Sequence, residues 1–218
     1  VVKEALFAYK EGFTKNLNKG VNIMEQQPQQ APQQPQGWAN PGPWSLFAIA
    51  VLTGCAGFFN AGFLPPTTAP LLVGILVASV IPQFVSGLIN FKRGEILIGT
   101  LNGLFGTVAT IGIAVTTWML ITAPTPGAVT PEIMGVFYII LFLAMEIAAI
   151  GFGRMSWFIM LGIAEVGVAF LCFGLGMLVL GGWLLIIFSA FSLYLATAIF
   201  WAEIFQKPIL PLGRPVFK

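Results

Sequence analysis

The sequence contains no histidine and only two cysteines, and charged residues fill just 8% of its 218 positions. Each scarcity excludes something. Without histidine the chain lacks the commonest general base at neutral pH and the commonest metal ligand. Cys55 and Cys172 each stand alone in an apolar run, outside any close-spaced ligand motif, and read as small side chains packed in helices. Haem, zinc and iron–sulfur chemistry are therefore not expected, and no cofactor or metal site is assigned. A soluble domain carries about 25% charged residues. A chain with a third of that cannot cover a folded surface with ionised groups. The sequence is 57% hydrophobic with a mean hydropathy of +0.91, so its surface must face lipid. The net charge of +2 comes with no basic stripe carrying interleaved aromatics, and no nucleic-acid partner is expected.

What is present falls into two parts. Residues 1–39 read as an N-terminal extension. Leu6, Phe7, Phe13 and Leu17 alternate there with Lys3, Lys10, Lys15 and Lys19, a pattern suited to a short helix on a membrane surface or on a protein partner. The Gln/Pro tract from Gln26 to Gln36 follows as an extended linker. Residues 40–218 form the transmembrane domain. Apolar runs predict six helices near 44–63, 70–91, 95–121, 132–152, 155–179 and 183–205, each long enough for a hydrocarbon core of about 30 Å. Turn chemistry separates them, at Leu64-Pro65-Pro66, Lys92-Arg93-Gly94, Pro124-Thr125-Pro126-Gly127, Gly151-Phe152-Gly153-Arg154 and Gly181-Gly182.

Every Lys and Arg lies in the N-terminal tail, the second–third loop, the fourth–fifth loop or the C-terminal tail. Alternate loops share a side, so all ten positive charges collect on one side, which the positive-inside rule makes cytoplasmic. Six spans with both termini cytoplasmic is the topology expected, in a multi-pass protein of the plasma (cytoplasmic) membrane. Trp38, Trp44, Trp118, Trp183 and Trp201 fall near predicted helix ends, as an aromatic belt requires.

Polar residues inside the spans are the candidates for function. On the first helix Ile49, Thr53, Ala56 and Asn60 share a face, and on the second Ser79, Gln83, Ser86 and Asn90 do so with the same spacing. Such stripes either bond neighbouring helices or line a solute path. Pro82 should kink the second helix and free a carbonyl. Gly99, Gly103, Gly106 and Thr110 on the third form a groove for a neighbouring backbone. Two carboxylates stand within spans. Glu146 is expected to reach toward Arg154. Glu165 lies mid-span, where an ionised acid costs about 2.5–3.5 kcal/mol on insertion scales, and is a candidate proton-sensitive group. No nucleophile–base pair, carboxylate pair or phosphate loop is present, so no catalytic residue is assigned and no enzyme activity is expected.

Three stretches share a further likeness. Asn40-Pro41-Gly42-Pro43 resembles the Asn-Pro-x-Pro signature of the acetate uptake transporter family, the succinate–acetate permeases. Gln83 to Gly94 is similar to that family's Gln-x-x-Ala-Gly segment with its aromatic-basic-basic-Gly turn. Leu193-Tyr194-Leu195-Ala196 followed by Leu210-Pro211-Leu212-Gly213 resembles its C-terminal end. The likeness covers about residues 40–213. It implies six helices around a pore in each protomer, a homo-hexameric ring in the lipid, and passage of small monocarboxylates such as acetate. It further implies a pore entrance at Asn40, Pro41 and Pro43 and an apolar constriction at Ile49, Phe105 and Ile163. Asn60, Gln83 and Asn102 would offer hydrogen bonds along the way. Ile49 replaces an aromatic of the family pattern, Phe105 replaces a Tyr, and Asn60-Ala61-Gly62-Phe63 lacks its His. Glu165 is outside the pattern and sits about 200° around its helix from Ile163. Two other readings remain open: a channel for urea, amides or ammonia, and a non-transporting subunit that scaffolds a larger membrane complex through the N-terminal extension.

Overall fold

A computed structural model of the chain describes residues 37–125, 128, 130 and 132–217. The expected amphipathic segment, the Gln/Pro tract, and Pro126 and Gly127 of the third turn lie outside the described residues. The rest is an all-α integral membrane protein. Its six long apolar helices are α1 (Gly42–Asn60), α2 (Ala69–Lys92), α3 (Ile96–Thr122), α4 (Glu132–Phe152), α5 (Trp157–Gly174) and α6 (Leu178–Phe205), with a single 3₁₀ turn, Pro66–Thr68, leading into α2. At 1.5 Å per residue even the 18 residues of α5 come close to the roughly 30 Å of a bilayer core.

Two boundaries differ from expectation, both for reasons of glycine chemistry. The first helix closes at Asn60, because Gly62 adopts φ +87°, a left-handed conformation that ends a helix. The turn between the fifth and sixth helices is at Leu175-Gly176-Met177, where Gly176 has φ +76°, and not at Gly181-Gly182. Those two glycines lie in the first turns of α6 and serve close packing. A Cβ on Gly57 of α1 would stand 2.9 Å from the Gly182 carbonyl oxygen, and one on Gly181 would stand 2.9 Å from the Phe173 ring.

Lipid tails are as apolar as leucine, so small residues and hydrogen bonds must hold the helices together. The α1–α6 pair follows this rule, with the Ser189 hydroxyl donating to the Ala50 carbonyl at 2.7 Å. On α4 and α5, Gly135 and Gly174 oppose each other, and a Cβ on Gly135 would meet the Gly174 carbonyl at 3.3 Å. On α2 and α3 a Cβ on Gly87 would meet the Gly103 nitrogen at 3.0 Å. Outer faces such as Ile133, Ile140, Ile147 and Ile150 of α4 stay exposed, as a lipid-facing stripe should.

One end of the bundle is stitched by its loops. The Asn40 side-chain oxygen accepts from the Gly42 backbone nitrogen at 2.9 Å, and Pro41 is the N-cap of α1. The Pro41 carbonyl also accepts from the Ser86 hydroxyl at 3.3 Å, which ties the start of α1 to α2. Arg93 is buried, donates to the Trp38 carbonyl at 2.7 Å and pairs with Glu95 at 3.1 Å, while the Lys92 ammonium sits 5.0 Å from the centre of the Trp38 ring. The C-terminal tail folds back onto the α4–α5 loop, with Val216 nitrogen donating to the Gly153 carbonyl at 2.7 Å and Trp157 nitrogen to the Arg214 carbonyl at 2.9 Å. Ser156 caps α5, accepting from Phe158 and Ile159 nitrogens, and its hydroxyl donates to the Leu212 carbonyl.

Candidate functional site

Two cavities lie within the bundle. The larger, about 310 Å³, opens beside the stitched end and is lined from α1, α3, α5 and α6, with Phe152 at the end of α4, Asn40 before α1, Glu95 and Met155 in loops and Leu212 in the C-terminal tail. Its polar lining is Asn40, Ser45, Glu95 and Asn102, and nearly everything else is aliphatic or aromatic. Glu95 is the one charged residue in that wall, and Arg93 holds it from behind. The second cavity, about 110 Å³, is lined by Thr53, Asn60, Thr110 and Tyr138 among apolar neighbours.

Ile49 and Phe105 belong to the walls of both cavities. Among the described residues these two are the shared wall. Ile49 is 7% exposed and Phe105 9%. On the far side of that wall the Phe105 ring lies 5.9 Å from Phe170, which stacks on Tyr138 at 6.1 Å, and Tyr138 lies 5.5 Å from Phe173. Tyr138, Phe170 and Phe173 all line the second cavity.

The sequence-predicted residues separate cleanly on this geometry. Asn40 lines the larger cavity, caps α1 and donates to Glu203 of α6 at 3.4 Å. Pro41 and Pro43 shape the start of α1 and line neither cavity. Ile49, Phe105 and Ile163 meet in the larger cavity, and Ile163 does not reach the second. Asn102 lines the larger cavity and Asn60 the second. Gln83 lines neither: it is fully buried, and its amide nitrogen donates to the Ser79 carbonyl at 2.9 Å. Glu165 also lines neither cavity. Ile163 faces the larger cavity and Glu165 does not, as their helical separation requires, and both carboxylate oxygens are sealed without a hydrogen-bond partner. Glu146 does not pair with Arg154 among the described residues. Its carboxylate lies against Gly167 of α5, with one oxygen sealed and unpartnered, and Arg154 is exposed in the loop beyond.

Several lining residues escaped the sequence reading. Phe170 and Phe173 of α5 and Phe188, Phe191 and Leu195 of α6 recur at helical spacing, but in a chain with 20 phenylalanines that pattern does not stand out. Glu95 was legible only as the residue after a basic turn.

The fold has a solved counterpart. The chain superimposes on the structure of the bacterial acetate channel SatP with a TM-score of 0.73 at 20% sequence identity, over 81% of this chain and 100% of that one. The six-helix architecture that the family resemblance implied is therefore the architecture found. No protein-family model and no curated protein sequence matches the chain.

Proposed function

We propose that this protein is a transmembrane channel or transporter for small monocarboxylates such as acetate, carried together with a proton. The observation that carries the reading is the pair of cavities that share Ile49 and Phe105 in their walls, inside a fold that an acetate channel also uses. In this reading the two side chains form an apolar neck, with Ile163 on its wider side. An apolar neck disfavours hydrated ions by dewetting and passes a neutral acid or a briefly desolvated anion. Asn40 shapes the mouth, with Pro41 and Pro43 fixing its backbone. Asn102 on one side of the neck and Asn60 on the other offer hydrogen bonds to a carboxyl group. The basic loops support a mouth and both termini on the cytoplasmic side. A homo-oligomer, a ring of six by family analogy, and a protein partner for residues 1–39 belong to the same proposal.

One feature favours a second reading. The larger cavity is lined by a single carboxylate and no cation, which suits an uncharged solute such as urea or an amide. Radiolabelled acetate uptake into proteoliposomes holding only this protein, with and without an inward proton gradient, tests the first reading. Uptake above empty liposomes that excess cold acetate competes away is the expected result. Absent acetate uptake with rapid urea uptake would move the assignment to the neutral-solute channel, and absence of both would leave a scaffolding subunit.

A further inference from the structure

Two residues that line neither cavity, Gln83 and Gly106, lie against each other beside the neck. Phe105 opens a five-residue π turn, Phe105–Ala109, inside α3. Such a turn inserts one residue into the α register, so a shift in its position rotates a side chain by about 100°. α2 holds this turn from outside. A Cβ on Gly106 would stand 2.6 Å from the Phe84 backbone nitrogen and 2.9 Å from Cβ of Gln83. At the same level α2 carries Pro82, which supplies no helical N–H. Gln83 is fully buried beside it, and its amide oxygen is sealed with no donor. The Pro82–Phe84 stretch of α2 therefore packs closely on the π turn of α3 that carries the neck aromatic.

We propose that Gln83 and Gly106 are positioning residues that set the size limit of the neck by holding the π turn that carries Phe105. The inference rests on the reading of the Ile49–Phe105 wall as the permeation neck. Loosening the contact lets the turn migrate and swings the Phe105 ring out of the shared wall, so that the two cavities merge and longer solutes pass. Phe105 is the residue that meets the solute, and Gln83 and Gly106 act through it.

The test uses the full chain with 4-fluorophenylalanine placed at position 105 by amber suppression. Fluorine NMR in nanodiscs reports the environment of that ring, and proteoliposomes report the ratio of butyrate to acetate flux. Gly106→Ala and Gln83→Ala are each expected to shift the position-105 resonance and to raise the butyrate-to-acetate ratio severalfold. Gly112→Ala is the control on the same helix, since a Cβ there meets only the edge of the Phe137 ring, at 3.2 Å. It should change neither readout. Gln83→Ala carries the test alone if Gly106→Ala does not fold. Folded variants with an unmoved resonance, or with a moved resonance and an unchanged flux ratio, would overturn the proposal. A parent protein that conducts neither acid would overturn the monocarboxylate reading by itself, while a moved position-105 resonance in the variants would still support the positioning of Phe105.

Discussion

Two stripes of the molecule share one spacing and meet opposite fates. Ile49, Thr53, Ala56 and Asn60 of α1 all line the second cavity. Ser79, Gln83, Ser86 and Asn90 of α2 line neither cavity, and all four are buried. The α2 stripe is the more polar of the two, yet it is the sealed one. The difference lies in what each stripe faces. Gln83 of α2 lies against Gly106 of α3, a glycine that lets the two backbones close, and Ser86 bonds the Pro41 carbonyl at the start of α1. The α1 stripe shares the second cavity with the large side chains of Tyr138, Phe170, Phe173 and Leu185. Polarity within a span therefore marks a helix contact or a path according to the size of the opposing residues.

The comparison breaks most sharply if the neck can be filled without effect. Ile49→Trp adds an indole to the wall shared by both cavities and should cut acetate uptake by about tenfold or more, through an occluded and still apolar constriction. Uptake that survives in a monodisperse protein would mean the solute does not pass between Ile49 and Phe105. On the sealed side the largest effect should be on stability. Gly87→Ala places a Cβ 3.0 Å from the Gly103 nitrogen and 3.3 Å from the Gly99 carbonyl, both backbone atoms that cannot turn aside. A loss of about 1–3 kcal/mol is expected, read as a lower unfolding midpoint in SDS titration. An unchanged midpoint would show that α2 and α3 can part more easily than their glycines suggest.

A matched pair sharpens the contrast further. Asn60 donates to the Ala56 carbonyl at 2.8 Å and keeps its remaining polar capacity for the second cavity. Asn90 is fully buried, with both polar atoms of its amide lacking partners. Asn60→Leu should therefore lower acetate flux a few-fold with little change in stability. Asn90→Leu should leave flux alone and raise stability by about 1 kcal/mol, because it removes unsatisfied groups from a dry contact. If Asn90→Leu instead destabilises the protein, its amide has a partner such as a buried water.

Much of the architecture was legible in the sequence. Six apolar runs of bilayer length and an alternating charge map fixed the number of helices, because insertion free energy depends on those totals. The misplaced α5–α6 turn shows where legibility ends. Gly176 and the Gly181-Gly182 pair look alike in a sequence, since glycine serves both a left-handed turn and a close helix crossing. The π turn at Phe105–Ala109 has no residue signature at all, and the α2 stretch that lies against it is not read from one helix alone. For the same reason Gln83 and Asn60 were indistinguishable until their opposing faces were known. Ile49 and Phe105 were reached through a motif resemblance, and hydropathy alone would have left them among many buried apolar residues.

The smallest effect is expected at Glu165, the residue that composition alone would have ranked highest. It lines neither cavity, so a direct role in conduction has no geometric support, and its carboxylate oxygens are sealed without partners. Glu165→Gln keeps the shape and removes the ionisable group. Acetate flux at neutral pH should stay within about twofold of the parent, while the protein gains up to about 1 kcal/mol as a group that is costly to ionise in a span disappears. Uptake measured from pH 5 to pH 8 decides the matter. Parallel profiles for parent and variant would make Glu165 a packing residue of α5. A profile that flattens in the variant would place the proton route along α5, outside both cavities, and would separate the path of the proton from the path of the acid.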